Sequence, residues 1–190
     1  MRILLIICTV LSNLCFGQAP RLISGGVLKP EQERMDIRHY FIDLSVDPVA
    51  QTLKGAVTIT LDLKSGSPVL LFDLSRLMKV EKITVDNKQV SFSQENDLVN
   101  ITGKTDFAPG RHTIKISYGG SPVIAPRPPW VGGIQWAKDS TGNPWIALSC
   151  EGEGGKIYFP CKDHPSDEPD EGADMRISVP KDLWLPDQDY

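Results

Sequence analysis

The 190-residue sequence has little of what would mark several large functional classes. Basic residues do not dominate, since 20 Lys and Arg stand against 24 Asp and Glu for a net charge of −4. That balance excludes the electrostatic footprint of a protein that binds nucleic acid or anionic membranes. Histidine occurs 3 times, at His39, His112 and His164, never as a closely spaced pair that could seat a catalytic metal. Only 4 Cys are present, too few for a disulfide-stapled miniprotein. Beyond residue 17 the sequence has no long apolar run, no internal repeat, no low-complexity tract and hardly any helical period.

What is there begins with an export signal. Arg2 supplies a short basic region, residues 3–14 an apolar stretch, and Cys15-Phe16-Gly17 the small residues that a signal peptidase reads. A bilayer span needs about 20 apolar residues, and Ser12 and Asn13 interrupt this shorter run. Cleavage after Gly17 is therefore expected, with export to the periplasm or the extracellular space and no membrane insertion after signal removal. Cys8 and Cys15 leave with the signal. Cys150 and Cys161 remain, either joined in one disulfide or, as we expect, kept as two buried thiols. Residues 18–35 lack periodicity and read as an exposed leader.

From Asp36 the pattern alternates with period two, as a half-buried strand requires. Tyr40, Ile42, Leu44 and Val46 form one face, and Val57, Ile59, Leu61 and Leu63 another, with Asp47-Pro48 beginning the turn between them. Further strands are predicted at residues 69–74, 79–85, 89–92, 98–101 and 112–118, separated by turn residues such as Asp86-Asn87 and Pro109-Gly110. The prolines at 122, 126, 128 and 129 make residues 125–136 a structured loop. Strand character resumes at Trp145, and a last strand is expected at residues 174–179. This is an all-β pattern, that of an antiparallel β-sandwich spanning residues 36–186, with a truncated tail at 187–190.

Residues 143–174 depart from it. Trp145-Ile146-Ala147-Leu148 carries the chain out of a sheet, and Ser149, Cys150, Glu151, Gly152 and Glu153 follow, two carboxylates among glycines that let a ligand approach the backbone closely. Cys150, Cys161, Asp163 and His164 do not make a structural zinc site, which presents paired ligands at both ends. The acidic run Asp163, Asp167, Glu168, Asp170, Glu171 and Asp174 lacks the central glycine of a calcium loop and contains Pro165 and Pro169. A solvated turn beside an interface is expected instead. Trp130, Trp136 and Trp145 with Tyr158 and Phe159 are expected to cover an interface with a second domain. Asn100-Ile101-Thr102 is a glycosylation sequon where the host modifies exported proteins.

Pro128-Pro129-Trp130-Val131-Gly132-Gly133, Trp145-Ile146, Cys150-Glu151-Gly152-Glu153-Gly154 and Pro160-Cys161-Lys162-Asp163-His164-Pro165-Ser166-Asp167 together resemble the amino-terminal domain of zinc aminopeptidases of the aminopeptidase N and leukotriene hydrolase family. Residues 36–63 look like the opening of that domain. The resemblance implies a saddle-like β-domain packed on a thermolysin-like catalytic domain of the same parent chain. It also implies that Glu151 recognises the free amino terminus of a peptide substrate, with Ser149, Cys150, Gly152 and Glu153 forming that pocket wall or, for Glu153, bracing it.

The family's catalytic metal motif, His-Glu-x-x-His, is absent here, as is its Gly-x-Met-Glu-Asn motif. The chain is thus expected to hold no catalytic residue, no metal ligand and no cofactor, zinc belonging to the full-length parent, and to have no peptidase activity alone. An exported stand-alone module that binds a peptide or protein partner is the alternative from a different class.

Overall fold

The computed structural model describes residues 23–181 and 183. The signal peptide expected at residues 1–17, the first part of the expected leader and the tail expected at 187–190 lie outside the described residues. Within them the fold is all-β, built from three sheets and hardly any helix.

The two alternating segments form the hairpin read from the sequence. Strand β1 (Met35–Asp47) runs antiparallel to β2 (Thr52–Leu63), with Met35 opposite Leu63 and Asp47 opposite Thr52. A register shift between Ile37 and His39 lets both Ile37 and Tyr40 face inward with Ile42 and Leu44. Without that extra residue the pleat would turn one of them outward. Strand β3 (Ser67–Asp73) then enters a second sheet, and β4 (Met78–Val85) returns to the first.

The strand expected at residues 89–92 is in fact two. β5 (Lys88–Gln89) pairs with β4, while β6 (Ser91–Glu95) pairs with β7 (Leu98–Phe107) in the other sheet. Val90 packs against the core between them, so the chain crosses from one layer to the next at this residue. Strand β8 (Gly110–Gly120) lies between β2 and β4, giving a first sheet that already carries five strands.

Inward-facing residues of both sheets meet in one apolar core. Val57, Ile59, Leu61, Ile83, Ile114, Ile116 and Tyr118 come from the large sheet, and Leu70, Phe72, Val99 and Ile101 from the three-stranded one. β-branched residues suit this pleated surface, and each buried Ile or Leu contributes roughly 1.5–3 kcal/mol.

Two expectations are corrected downstream. The loop expected at residues 125–136 ends early, because the prolines stop at Pro129 and β9 (Gly133–Lys138) pairs antiparallel with β10 (Pro144–Ser149). The last strand, β11 (Ala173–Ser178), runs parallel to β1 on the edge of the large sheet, so that sheet is mixed rather than fully antiparallel. The leader also departs from expectation. Its short helix α1 (Pro30–Glu33) buries Gln32, whose amide Nε2 donates to Asp73 Oδ2 at 2.5 Å, and Met35 is wholly buried. Ile23 and Val27 remain exposed, so the apolar docking of this segment is confined to its end.

Candidate functional site

The candidate site begins where β10 ends. Ser149 pairs with Gly133, and the chain then turns through residues 150–154, closed by the Gly154 N–H donating to the Cys150 carbonyl at 2.7 Å. Gly154 has φ of 79° and a β-carbon there would run into the Asp163 carboxylate, so only glycine fits. Gly132 is equally constrained: a β-carbon would strike the Glu153 carboxylate and the Ser149 carbonyl. Turn and hairpin base are therefore seated in one another.

The five sequence-predicted residues separate by exposure. Glu151 and Gly152 are exposed, Ser149 and Cys150 are half-buried, and Glu153 is only 3 % exposed. Glu153 lies inward over Gly132, in the bracing position, while Glu151 stands at the rim. Burial, with the charges of Glu153 and Asp163, pushes the Cys150 thiol up, and burial raises Cys161 well above its usual range. Both cysteines are free, and neither is poised as a thiolate nucleophile.

A polar framework holds the turn from beneath. Gly155–Ile157 form one turn of 3-10 helix, and the Ser75 N–H donates to the Lys156 carbonyl at 2.8 Å. Lys156 Nζ lies 2.9 Å from Asp163 Oδ2 and donates to the Ile23 carbonyl at 2.6 Å. Ser24 completes the strap: its N–H donates to the Gly152 carbonyl at 2.9 Å and its hydroxyl to Asp163 Oδ1 at 3.0 Å. Asp73 exchanges backbone bonds of 2.7 and 3.0 Å with Cys161, and its carboxylate accepts from the Asp163 N–H at 3.1 Å. Burial pushes the Asp73 carboxyl up against those stabilising donors.

A second buried pair follows. Lys162 Nζ lies 2.7 Å from Asp167 Oδ2, both side chains being 5 % exposed or less, and donates to the Met35 carbonyl at 2.6 Å. The same Asp167 oxygen accepts the Ile37 N–H at 3.2 Å. These cations were missed in the sequence, because their partners lie more than 100 positions away for Met35, Ile37 and Ile23. The one local signal was the interleaving of Lys156 and Lys162 with the acidic run.

That run is not a solvated turn throughout. Asp163 and Asp167 take the two buried lysines, Asp170 and Glu171 ion-pair with Arg38, Glu171 also pairs with Arg111 at 2.8 Å, and Asp174 meets His39 at 3.2 Å. The carboxylates thus divide among Lys156, Lys162, Arg38, Arg111 and His39, with Asp170 and Glu171 sharing Arg38. Nor do the histidines converge, since His164 is held by Ser166 and the Gly26 carbonyl and His112 by Asp86 and the Ala108 carbonyl. Among the described residues no group of side chains fits a catalytic zinc ion.

The aromatic set also divides. Trp136 and Tyr158 pack against the core, and Phe159 is buried edge-on to Tyr40 at 5.5 Å. Trp130 and Trp145 are exposed at 75 % and 52 %, and Leu148 is exposed as well.

Among the described residues, then, an all-β domain presents an exposed glutamate on a turn that glycines and a buried Glu153 hold in place. A family model for the peptidase M1 N-terminal domain matches residues 37–183, and the chain belongs to that family. Its structure is similar to the M1 zinc metallopeptidase of Deinococcus radiodurans, at 26% identity and a TM-score of 0.60 over 79% of this chain and 33% of that one. A form of that enzyme bound to a Tyr-Ser-Ala substrate matches at 27% identity and a TM-score of 0.62, over 78% of this chain and 33% of that one. Native leukotriene A4 hydrolase from Saccharomyces cerevisiae shares the fold at 20% identity and a TM-score of 0.62, over 78% of this chain and 24% of that one. No curated protein sequence matches significantly. The chain spans about a third of the length of the bacterial metallopeptidases it matches.

Proposed function

We propose that this chain is the noncatalytic amino-terminal domain of an exported zinc aminopeptidase, a saddle-like β-sandwich that shapes the pocket for the free amino end of a peptide. Glu151 is the residue that meets the ammonium group. A carboxylate among glycines pairs with an ammonium most strongly where a second surface excludes water. The observation that carries this reading is the seating of the 150–154 turn, with Glu153 and Gly132 locked inward and Glu151 left outward.

The second surface is the catalytic domain of the parent chain, which supplies zinc and the hydrolytic step. Exposed Trp130, Trp145 and Leu148 are the apolar contacts it would cover. The solved relatives support that arrangement, being zinc metallopeptidases and, in one case, bound to a Tyr-Ser-Ala substrate.

The mass of the native gene product, detected in its host with an antibody against this domain, tests the proposal. A product several times larger than 21.0 kDa is expected. A native product of this size or smaller would refute a catalytic partner in the same chain.

A further inference from the structure

At one end of the large sheet, His112 on β8 joins two turns. Its Nδ1 lies 2.7 Å from Asp86 Oδ2, in the turn between β4 and β5, and its Nε2 lies 2.8 Å from the carbonyl oxygen of Ala108, in the turn between β7 and β8. Both partners are acceptors. A neutral imidazole carries one N–H and one lone pair, so it can satisfy only one of them. The doubly protonated ring satisfies both.

We propose that His112, held as the imidazolium, is a clasp that ties the Asp86-Asn87 turn to the Ala108 turn, and that losing its proton releases the Ala108 side, because the remaining N–H stays with the carboxylate. Asp86 is suited to the charged partner, because its other oxygen accepts the Thr113 N–H at 2.9 Å and fixes the carboxylate beside the ring. The turn itself has φ of 49° at Asp86 and 64° at Asn87, the left-handed pair of a tight hairpin. Strain of this kind persists only where surrounding contacts hold it.

The groups facing the ring are few. Asp86 and Lys88 come from the β4–β5 hairpin, Phe107 lies edge-on at 6.3 Å, and Lys104 and Asp106 stand on β7 in the groove that all of these residues line with His112. Arg111, next in the chain, is already engaged by Asp62 and Glu171. Lys88 and Lys104 oppose Asp86 and Asp106 in charge, and the two direct contacts, to the Ala108 carbonyl and the Asp86 carboxylate, decide the charge of the ring.

Burial works against the charged ring, but the Ala108 carbonyl and the Asp86 carboxylate outweigh it and raise the His112 pKa above its ordinary 6.5. A raised value means that the clasp is fully made below about pH 6.5 and is lost as pH rises through the folded value.

A nitrogen-detected NMR titration of the three histidines in this chain tests the proposal, read together with amide exchange at Ala108, Gly110 and Arg111 in the turn that the Ala108 carbonyl ties down. The His112 ring is expected to carry protons on both nitrogens at neutral pH and to titrate above 6.5. Exchange at the turn, corrected for its intrinsic pH dependence, should quicken about fivefold as the ring deprotonates, the factor expected from one lost hydrogen bond. Asp86→Asn keeps the acceptor for Thr113 and should lower the His112 midpoint. A single protonated ring nitrogen at pH 6, a midpoint at or below 6.5, or turn exchange that ignores the titration would each overturn the clasp.

Discussion

The sheets and the 149–174 segment are held in different ways. Between the sheets the contacts are apolar: Val57, Ile59, Leu61, Ile114 and Ile116 are fully buried and act through area removed from water, which has no preferred direction. In the segment, Lys156, Lys162 and Asp163 are held by ion pairs and hydrogen bonds at 2.6–3.1 Å, one of them to Asp73 at the end of β3, which fix direction as well as distance. The difference teaches where accuracy is needed. An apolar core tolerates small rearrangement, whereas a turn that presents one carboxylate must be set within a fraction of an ångström.

Substitutions of similar size should separate the two regions. Lys162→Met leaves Asp167 buried without its cation and is expected to cost about 3–5 kcal/mol. Ile59→Val, a similarly small change in the core, should cost about 0.5–1.5 kcal/mol. Urea unfolding of both variants checks the contrast, and equal losses would break it.

Gly154→Ala comes next in size. The positive φ and the clash with Asp163 should together cost roughly 1–3 kcal/mol, and the loss should be accompanied by movement of the Ser24 strap. Chemical-shift changes confined to residues 150–156 and 163, with Ser24 among them, would confirm that the strap and the turn are one unit. Changes spread evenly through the sheets would argue that they are not.

The smallest effect belongs to the hairpin tip between β9 and β10. The Thr141 hydroxyl and the Asn143 N–H and amide hold the Asp139 carboxyl down at about 2. A depressed value means that the tip is stabilised above 3.8, the carboxyl's ordinary value, and that this is lost as pH falls through about 2. The Thr141 and Asn143 amide shifts should therefore hold steady from pH 7 to 4 and move between 4 and 2. Movement already complete by pH 4 would contradict the cap.

Period-two alternation made much of the apolar region legible. Val57, Ile59, Leu61 and Leu63 are all buried as their spacing required. Alternation could not show the change of sheet at Val90, because a residue that crosses between layers is apolar in either strand. Proline spacing overstated the loop before β9, since it marks where strands cannot run but not where they restart. Glu151 was singled out through the motif around it, and the structure leaves it exposed. That Glu153 lies inward was not legible, because Gly132, the residue it covers, has no side chain to betray the contact. The leader was misread for a related reason: Gln32 and Met35 look exposed until Asp73 and Lys162, far along the chain, are brought to them.

The most direct test of the central claim is the Glu151→Gln variant of the polypeptide that carries both domains, assayed on peptides with a free amino terminus. Losing one charge-assisted bond to an ammonium should lower kcat/KM about ten- to hundredfold, with unfolding stability unchanged within about 0.5 kcal/mol. A variant that keeps full kcat/KM would show that the braced turn presents Glu151 to solvent and not to substrate.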